Sequence, residues 1–78
     1  MYDYTDLVSY IVKAIVSRPE AVKVAMVEGE RNTRIEVSLD PEDVGKVIGR
    51  GGRNIDAIRS VIRAAALRNR DRVMVEIM

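Results

Sequence analysis

Three glycines and an arginine form a short turn in the middle of the chain, Gly49-Arg50-Gly51-Gly52. Glycine has no Cβ and adopts positive φ readily, so another molecule can come close to the backbone there. The apolar residues that follow recur at helical spacing from Ile55 onward. A helix N-terminus, with its free N–H groups and the positive end of its dipole, therefore lies beside the turn. This combination favours the binding of a phosphate group.

Other glycine motifs do not fit this turn. A P-loop requires Gly-Lys followed by Ser or Thr, which the chain does not contain. A dinucleotide-binding fingerprint requires a third glycine where Asn54 stands, and a strand before the turn. The simplest alternative is a helix–helix corner in which glycine only ends the first helix.

Groups suited to catalysis are scarce. The chain has no histidine and no cysteine, so the commonest general base and the thiolate metal ligands are missing. The acids of Asp40-Pro41-Glu42-Asp43 are explained by capping, because this order of residues is typical of a helix start. The sequence shows no nucleophile–base pair and no metal cluster. We therefore expect no enzymatic activity, no catalytic residue, no metal and no cofactor.

Charge is distributed unevenly along the chain. Residues 1–43 contain five Lys or Arg and nine Asp or Glu, a net charge of −4. Residues 44–72 have a net charge of +6, from two aspartates and eight basic residues, namely Lys46, Arg50, Arg53, Arg59, Arg63, Arg68, Arg70 and Arg72. The glycine turn lies in this basic segment, as the binding of a polyanion requires. A solvated helix face is the alternative, and we assign Arg59, Arg63 and Arg68 mainly to it.

The apolar pattern predicts a helix and two strands in the first half of the chain. The helix begins near Asp3, which with Asp6 resembles a capping box, and it ends before Pro19. Alternating apolar residues then predict strands over 22–27 and 34–39, joined by a polar hairpin loop.

Two helices and a strand are predicted in the second half. A short helix runs from the Asp40 start to about Ile48, and it contains Gly45 at a cost of about 1 kcal/mol relative to alanine. A longer helix follows the turn and ends near Asn69, with a buried stripe of Ile55, Ile58, Ile62, Ala65 and Ala66. Alternation over 73–77 predicts the last strand.

Length and composition bound the class of protein. Seventy-eight residues make a single domain, 1–78, and no apolar run approaches the length of a membrane span. Asp3 and Asp6 stand where a signal peptide needs basic residues, so we expect a cytoplasmic protein with no membrane association. The only aromatic residues are Tyr2, Tyr4 and Tyr10, which we expect at the surface or an interface of the first helix. No base-stacking platform lies near the turn, which argues against the OB and RRM modes of binding.

The run Val47-Ile48-Gly49-Arg50-Gly51-Gly52, with Ile55, resembles the apolar-Ile-Gly-x-x-Gly-x-x-Ile core of the KH RNA-binding domain. The element order is similar to the type II, prokaryotic arrangement, and the size is similar to that of the small stand-alone bacterial KH proteins of the KhpA type. The resemblance covers essentially the whole chain. It implies an α+β fold of order α-β-β-α-α-β, with a three-stranded sheet and helices packed on one face.

The resemblance also implies a function and a set of site residues. The chain would be a non-enzymatic binder of single-stranded RNA, serving as an RNA chaperone or post-transcriptional regulator. The loop at 49–52 would clamp the backbone of about four nucleotides while the bases lie in an apolar groove. The implied site residues are the clamp Gly49, Arg50, Gly51 and Gly52, the groove-lining Gly45 and Ile48, and the flanking phosphate contacts Lys46 and Arg53.

Two points stay open in the sequence. Ile35 and Val37 lie on a strand that could wall the groove, but their alternating pattern equally fits the core, and we favour the core for most of these two side chains. The KH fold could also act as an interaction module that pairs with itself, as a homodimer, or with a larger KH-containing protein, as a heterodimer.

Overall fold

A computed structural model describes residues 3–78 of the chain. The elements follow the predicted order, α1 Tyr4–Ile15, β1 Lys23–Glu28, β2 Thr33–Ser38, α2 Val44–Ile48, α3 Arg53–Arg68 and β3 Val73–Ile77. Three-residue 3₁₀ turns occupy Pro19–Ala21, Pro41–Asp43 and Arg50–Gly52. The expected α+β class and the order α-β-β-α-α-β are confirmed.

The three strands form one mixed sheet of order β1-β2-β3. β1 and β2 are antiparallel, with Val24 opposite Val37, and β2 and β3 are parallel, with Ile35 opposite Val75. A parallel pair needs a crossover connection, which α2 and α3 provide. This crossover brings the glycine loop to one end of the molecule and leaves β3 as an edge strand.

Helices cover one face of the sheet, as the alternation in β2 shows. Thr33, Ile35 and Val37 are buried, while the residues between them are more exposed. The core comprises Tyr4, Val8, Val12, Val22, Ile35, Val37, Val47, Ile55, Ile58, Ile62, Ala66 and Val75. Ile35 and Val37 are fully buried, which confirms their assignment to the core and removes them as a wall for a groove.

Two of the acids at the predicted helix start behave differently. Asp40 caps as expected, since its carboxylate accepts a hydrogen bond from the backbone N–H of Glu42 at 2.9 Å. The expectation was wrong for Asp43, which is 1% exposed and accepts hydrogen bonds from the backbone N–H groups of Ser17 and Arg18, both at 3.1 Å. The bond from Ser17 is the main reason that the pKa of Asp43 lies below its ordinary value. Asp43 therefore fastens the segment after α1 to the start of α2.

The tyrosines divide between the core and the surface. Tyr10 is 70% exposed, as expected for a surface residue. The expectation was wrong for Tyr4, which is fully buried and donates a hydrogen bond from its hydroxyl to Asp71 at 2.5 Å. This bond joins the start of α1 to the segment between α3 and β3. Tyr2 lies outside the described residues.

No helix within residues 3–78 has both the length and the apolar character that crossing a bilayer requires.

Candidate nucleic-acid interface

The glycine loop, residues 49–52, connects α2 to α3 through backbone conformations that favour glycine. Gly49, Gly51 and Gly52 have φ values of 78°, 64° and 79°. Residues with a Cβ adopt positive φ only at a cost, and the pair φ 78°, ψ 172° at Gly49 is essentially restricted to glycine. The path of the chain therefore requires glycine at position 49 and favours it at positions 51 and 52, where the chain turns sharply between two helices.

Asn54 packs against the loop from the first turn of α3. A Cβ on Gly49 would stand 2.7 Å from Cγ of Asn54, which is too close for any other residue at position 49. The Asn54 side-chain amide donates a hydrogen bond to the carbonyl of Lys46 at 2.8 Å, so it binds a carbonyl near the end of α2. Sequence analysis considered Asn54 only as the missing third glycine of another motif. The available signal was a short polar side chain able to reach back across the turn.

The outer side of the loop is open. Gly51 is exposed, and a Cβ placed on it would find no atom within 4 Å. The same is true of Gly45 in α2, although nothing in its backbone requires glycine. Ile48 is partly buried against the core between them. A narrow ligand can therefore reach the backbone at both glycines without displacing a side chain.

The cations around the loop differ in what they contact. Arg50 and Arg53 are exposed, and within residues 3–78 neither forms an ion pair. The Lys46 ammonium lies 3.5 Å from the Asp43 carboxylate and donates a hydrogen bond to the Ser17 hydroxyl, with the side chain 52% exposed. Arg50 and Arg53 thus present full charges to solvent, whereas the charge of Lys46 is partly balanced.

A groove of about 270 Å³ lies further along α3, against the edge strand, and is lined by Arg59, Arg63, Val73, Met74 and Val75. Arg59 follows the first residue of α3 by six positions, which is about 9 Å along the helix axis. Its Nε donates a hydrogen bond to the carbonyl of Val75 at 3.1 Å. Arg59 is exposed, as expected for a residue assigned mainly to solvated surface, and the bond in addition holds its guanidinium against the edge of β3.

Within residues 3–78, no three Asp or Glu side chains lie close enough together to hold a metal ion.

Comparison with known proteins gives one consistent result. Residues 5–77 match the family model described as "KhpA/KhpB, KH domain". The chain is 48% identical over 73 residues to "RNA-binding protein KhpA" of Caldanaerobacter subterraneus subsp. tengcongensis, covering 94% of this chain and 97% of the relative. It is 47% identical over 73 residues to the protein of the same name in Clostridium perfringens, with the same coverage. The protein of the same name in Borreliella burgdorferi is 41% identical over 73 residues, which cover 94% of this chain and 89% of the relative. No solved structure matches.

Proposed function

Because the chain belongs to the KhpA/KhpB family of KH domains, which is not an enzyme family, we propose that it binds single-stranded RNA through the glycine loop. The loop contacts the sugar–phosphate backbone of about four nucleotides, and the bases lie toward the groove between α3 and β3. The protein acts on RNA by holding it in an extended form, which suits an RNA chaperone or a post-transcriptional regulator located in the cytoplasm.

The openness of the loop is the observation that carries this proposal. The backbone at Gly51 has no neighbouring atom where a side chain would stand, and Arg50 and Arg53, on either side of it in the chain, have no acidic partner among residues 3–78. A bare backbone, two free guanidinium groups and the positive end of the α3 dipole converge on one place. A phosphate diester fits this arrangement in both size and charge.

Each site residue has a distinct role in the proposed complex. Gly49 gives the loop its shape, while Gly51 and Gly52 let the strand lie against the backbone. Arg50 and Arg53 pair with phosphates, and Lys46 adds a weaker contact because Asp43 shares its charge. Gly45 and Ile48 form the near wall, with the exposed glycine admitting the sugar. Since no aromatic side chain is available for stacking near the loop, binding by one domain is of modest strength.

Reversing the charge of the loop tests the proposal. The double change Arg50→Asp with Gly51→Asp places two carboxylates where the phosphates bind. Position 51 has room for a side chain, and aspartate tolerates the left-handed conformation better than most residues, so we expect a folded protein. Fluorescence anisotropy with single-stranded RNA should show binding lost. For the unaltered protein, three neutralised phosphates predict that log affinity falls with log salt at a slope of about −2.

The matched control changes the net charge equally at a distant surface. Lys23→Glu with Val27→Glu places its new carboxylates on the outer face of the sheet, which the helices do not cover. This variant should keep most of its RNA affinity. The proposal fails if the folded loop variant binds RNA as well as the control does.

A second candidate function is pairing through the KH fold, with another copy of the chain or with a larger KH-containing protein. The observation that favours it is a small apolar stripe on the outside of α3, where Ala57, Val61 and Ala64 are exposed, Val61 by 49%. Sedimentation over a range of concentrations tests self-association, with Val61→Glu as the disrupting variant. A monomer at all concentrations excludes the homodimer.

A further inference from the structure

The groove beside Arg59 is one part of a longer depression of the surface. It shares Arg63, Val73 and Met74 with a second depression that reaches Asn32 and Arg72. That second depression in turn shares Asn32, Asp71 and Arg72 with a third, which lies beside the β1–β2 hairpin loop. Because they share these residues, the three depressions adjoin one another from the middle of α3, along the edge strand, to the hairpin, and we call them together the trough.

Three arginines, Arg31, Arg70 and Arg72, line the far end of this trough, and we call them the hairpin arginines. All three are exposed, and in the part of the chain that the structure describes none of them forms an ion pair. Two acids also line this end, Glu30 and Asp71; Asp71 accepts a hydrogen bond from the hydroxyl of Tyr4, and within residues 3–78 Glu30 forms no ion pair. The three guanidinium groups therefore lack an internal partner, as the loop arginines do.

The backbone of Arg70 adds an independent observation. The N–H of Arg70 bonds to the carbonyl of Leu67 at 3.2 Å, and the N–H of Asp71 bonds to that of Ala66 at 2.8 Å. This pair of bonds is the Schellman ending of a helix, and it places Arg70 at the left-handed position that glycine usually occupies. Arg70 has a φ of 59°, the single positive φ among the non-glycine residues of 3–78. An arginine at this position carries backbone strain that glycine would avoid, so the local fold does not favour it.

We propose that the hairpin arginines are a second phosphate-binding site, for RNA that continues beyond the nucleotides held by the glycine loop. This inference rests on the proposed function. The two sites flank α3, whose sixteen residues span about 24 Å, so they contact different parts of one strand. The position of Arg59 and Arg63 on α3, between the two sites, favours the same RNA over a separate ligand.

Arg70→Gly tests the inference, because it removes the charge and relieves the backbone strain together. We expect a rise in melting temperature and a loss of affinity for long RNA only. The probes are oligouridylates and oligoadenylates of four and ten nucleotides. One lost phosphate contact predicts about five-fold weaker binding of the ten-mers at 0.1 M salt, and a salt slope shallower by about 0.7. Binding of the four-mers should not change.

Two controls separate a contact from a general effect of charge. Arg70→Lys keeps the charge and should keep the affinity for the ten-mers. Arg68→Gln removes a charge from the last turn of α3, outside the lining of the trough, and should change the affinity less than two-fold.

Three outcomes overturn the inference, and they differ from one another. Unchanged affinity of Arg70→Gly for the ten-mers shows that no phosphate binds there. Equal losses of affinity for the four-mers and the ten-mers show that Arg70 acts through its long-range electrostatic attraction and not through a second site. An oligoglutamate peptide that binds in an Arg70-dependent manner, with RNA unaffected, assigns the hairpin arginines to an acidic protein. If the unaltered protein binds neither length, the proposed function is itself refuted.

Discussion

At the scale of single residues, two polar side chains hold the segment that leads into the glycine loop. Asn54 fills the space below Gly49 and bonds to the carbonyl of Lys46. Asp43 binds two N–H groups after α1 and also lies beside the Lys46 ammonium. Asp43 thus fixes the start of α2 and Asn54 a carbonyl near its end, so both ends of the helix before the loop are held in place.

Replacing Asn54 should weaken RNA binding more than it weakens the fold. Asn54→Ala removes a hydrogen bond between exposed groups, which costs about 1 kcal/mol of unfolding free energy or less. The loop then loses its tie to α2, so we expect RNA affinity to fall roughly ten-fold, about 1.4 kcal/mol. Thermal unfolding and anisotropy measure the two effects separately.

Asn69→Ala is the matched control for this change. Asn69 lies at the other end of α3, and its amide donates hydrogen bonds to the carbonyl of Ala65 at 3.0 Å and to the hydroxyl of Tyr4 at 3.4 Å. Its replacement should lower stability by at least as much and leave affinity for four-nucleotide RNA unchanged. Equal affinities of the two variants would show that Asn54 has no positioning role.

At the scale of elements, α2 is a short helix beside the glycine loop, and it contains one buried valine and one exposed glycine. Its five residues bury Val47 in the core and expose Gly45 on the side where the ligand is proposed to lie. Glycine within a helix lowers stability relative to alanine. Since no described atom lies near a Cβ at position 45, packing within the chain does not explain the glycine. We propose that close approach of the RNA backbone does.

Gly45→Ala should therefore stabilise the protein and impair its function. The gain is up to about 1 kcal/mol, which raises Tm by roughly 4–8 °C in a domain of this size. The added methyl group meets the bound strand and weakens RNA binding. Gly49→Ala, in contrast, should destabilise the fold, because its Cβ meets Asn54 at 2.7 Å. A more stable Gly45→Ala protein with undiminished affinity would place the RNA elsewhere.

At the scale of the whole molecule, sequence reasoning worked where local pattern decides the outcome. The periodicity of α3, the alternation in β2 and the glycine run predicted the elements and the loop, and these were confirmed. It failed at contacts between residues far apart in the chain. The partners in three such contacts are 16 to 67 positions apart, so no local sequence pattern predicts them. These contacts are Tyr4 with Asp71, Asp43 with Ser17, and Arg59 with Val75. Their partners are set by the crossover that places β3 beside β2.

The distribution of charge is a property of the whole molecule that the sequence does predict. The basic residues of segment 44–72 include exposed arginines beside the glycine loop, along α3 and beside the hairpin. The outer face of the sheet, by comparison, pairs its charges internally. Arg34 there lies 2.9 Å from Glu36 and 3.7 Å from Glu76. A polyanion is therefore attracted to the helical side of the molecule.

Nuclear magnetic resonance of the ¹⁵N-labelled protein, titrated with single-stranded RNA, tests the central claim most directly. The account predicts the largest changes in the backbone amide signals of Gly45 and residues 49–53, with smaller changes along the trough. The amides of Lys23, Ala25 and Val27 on the outer face should not move. Changes confined to that outer face or to α1, with the glycine loop unaffected at saturation, would contradict the account.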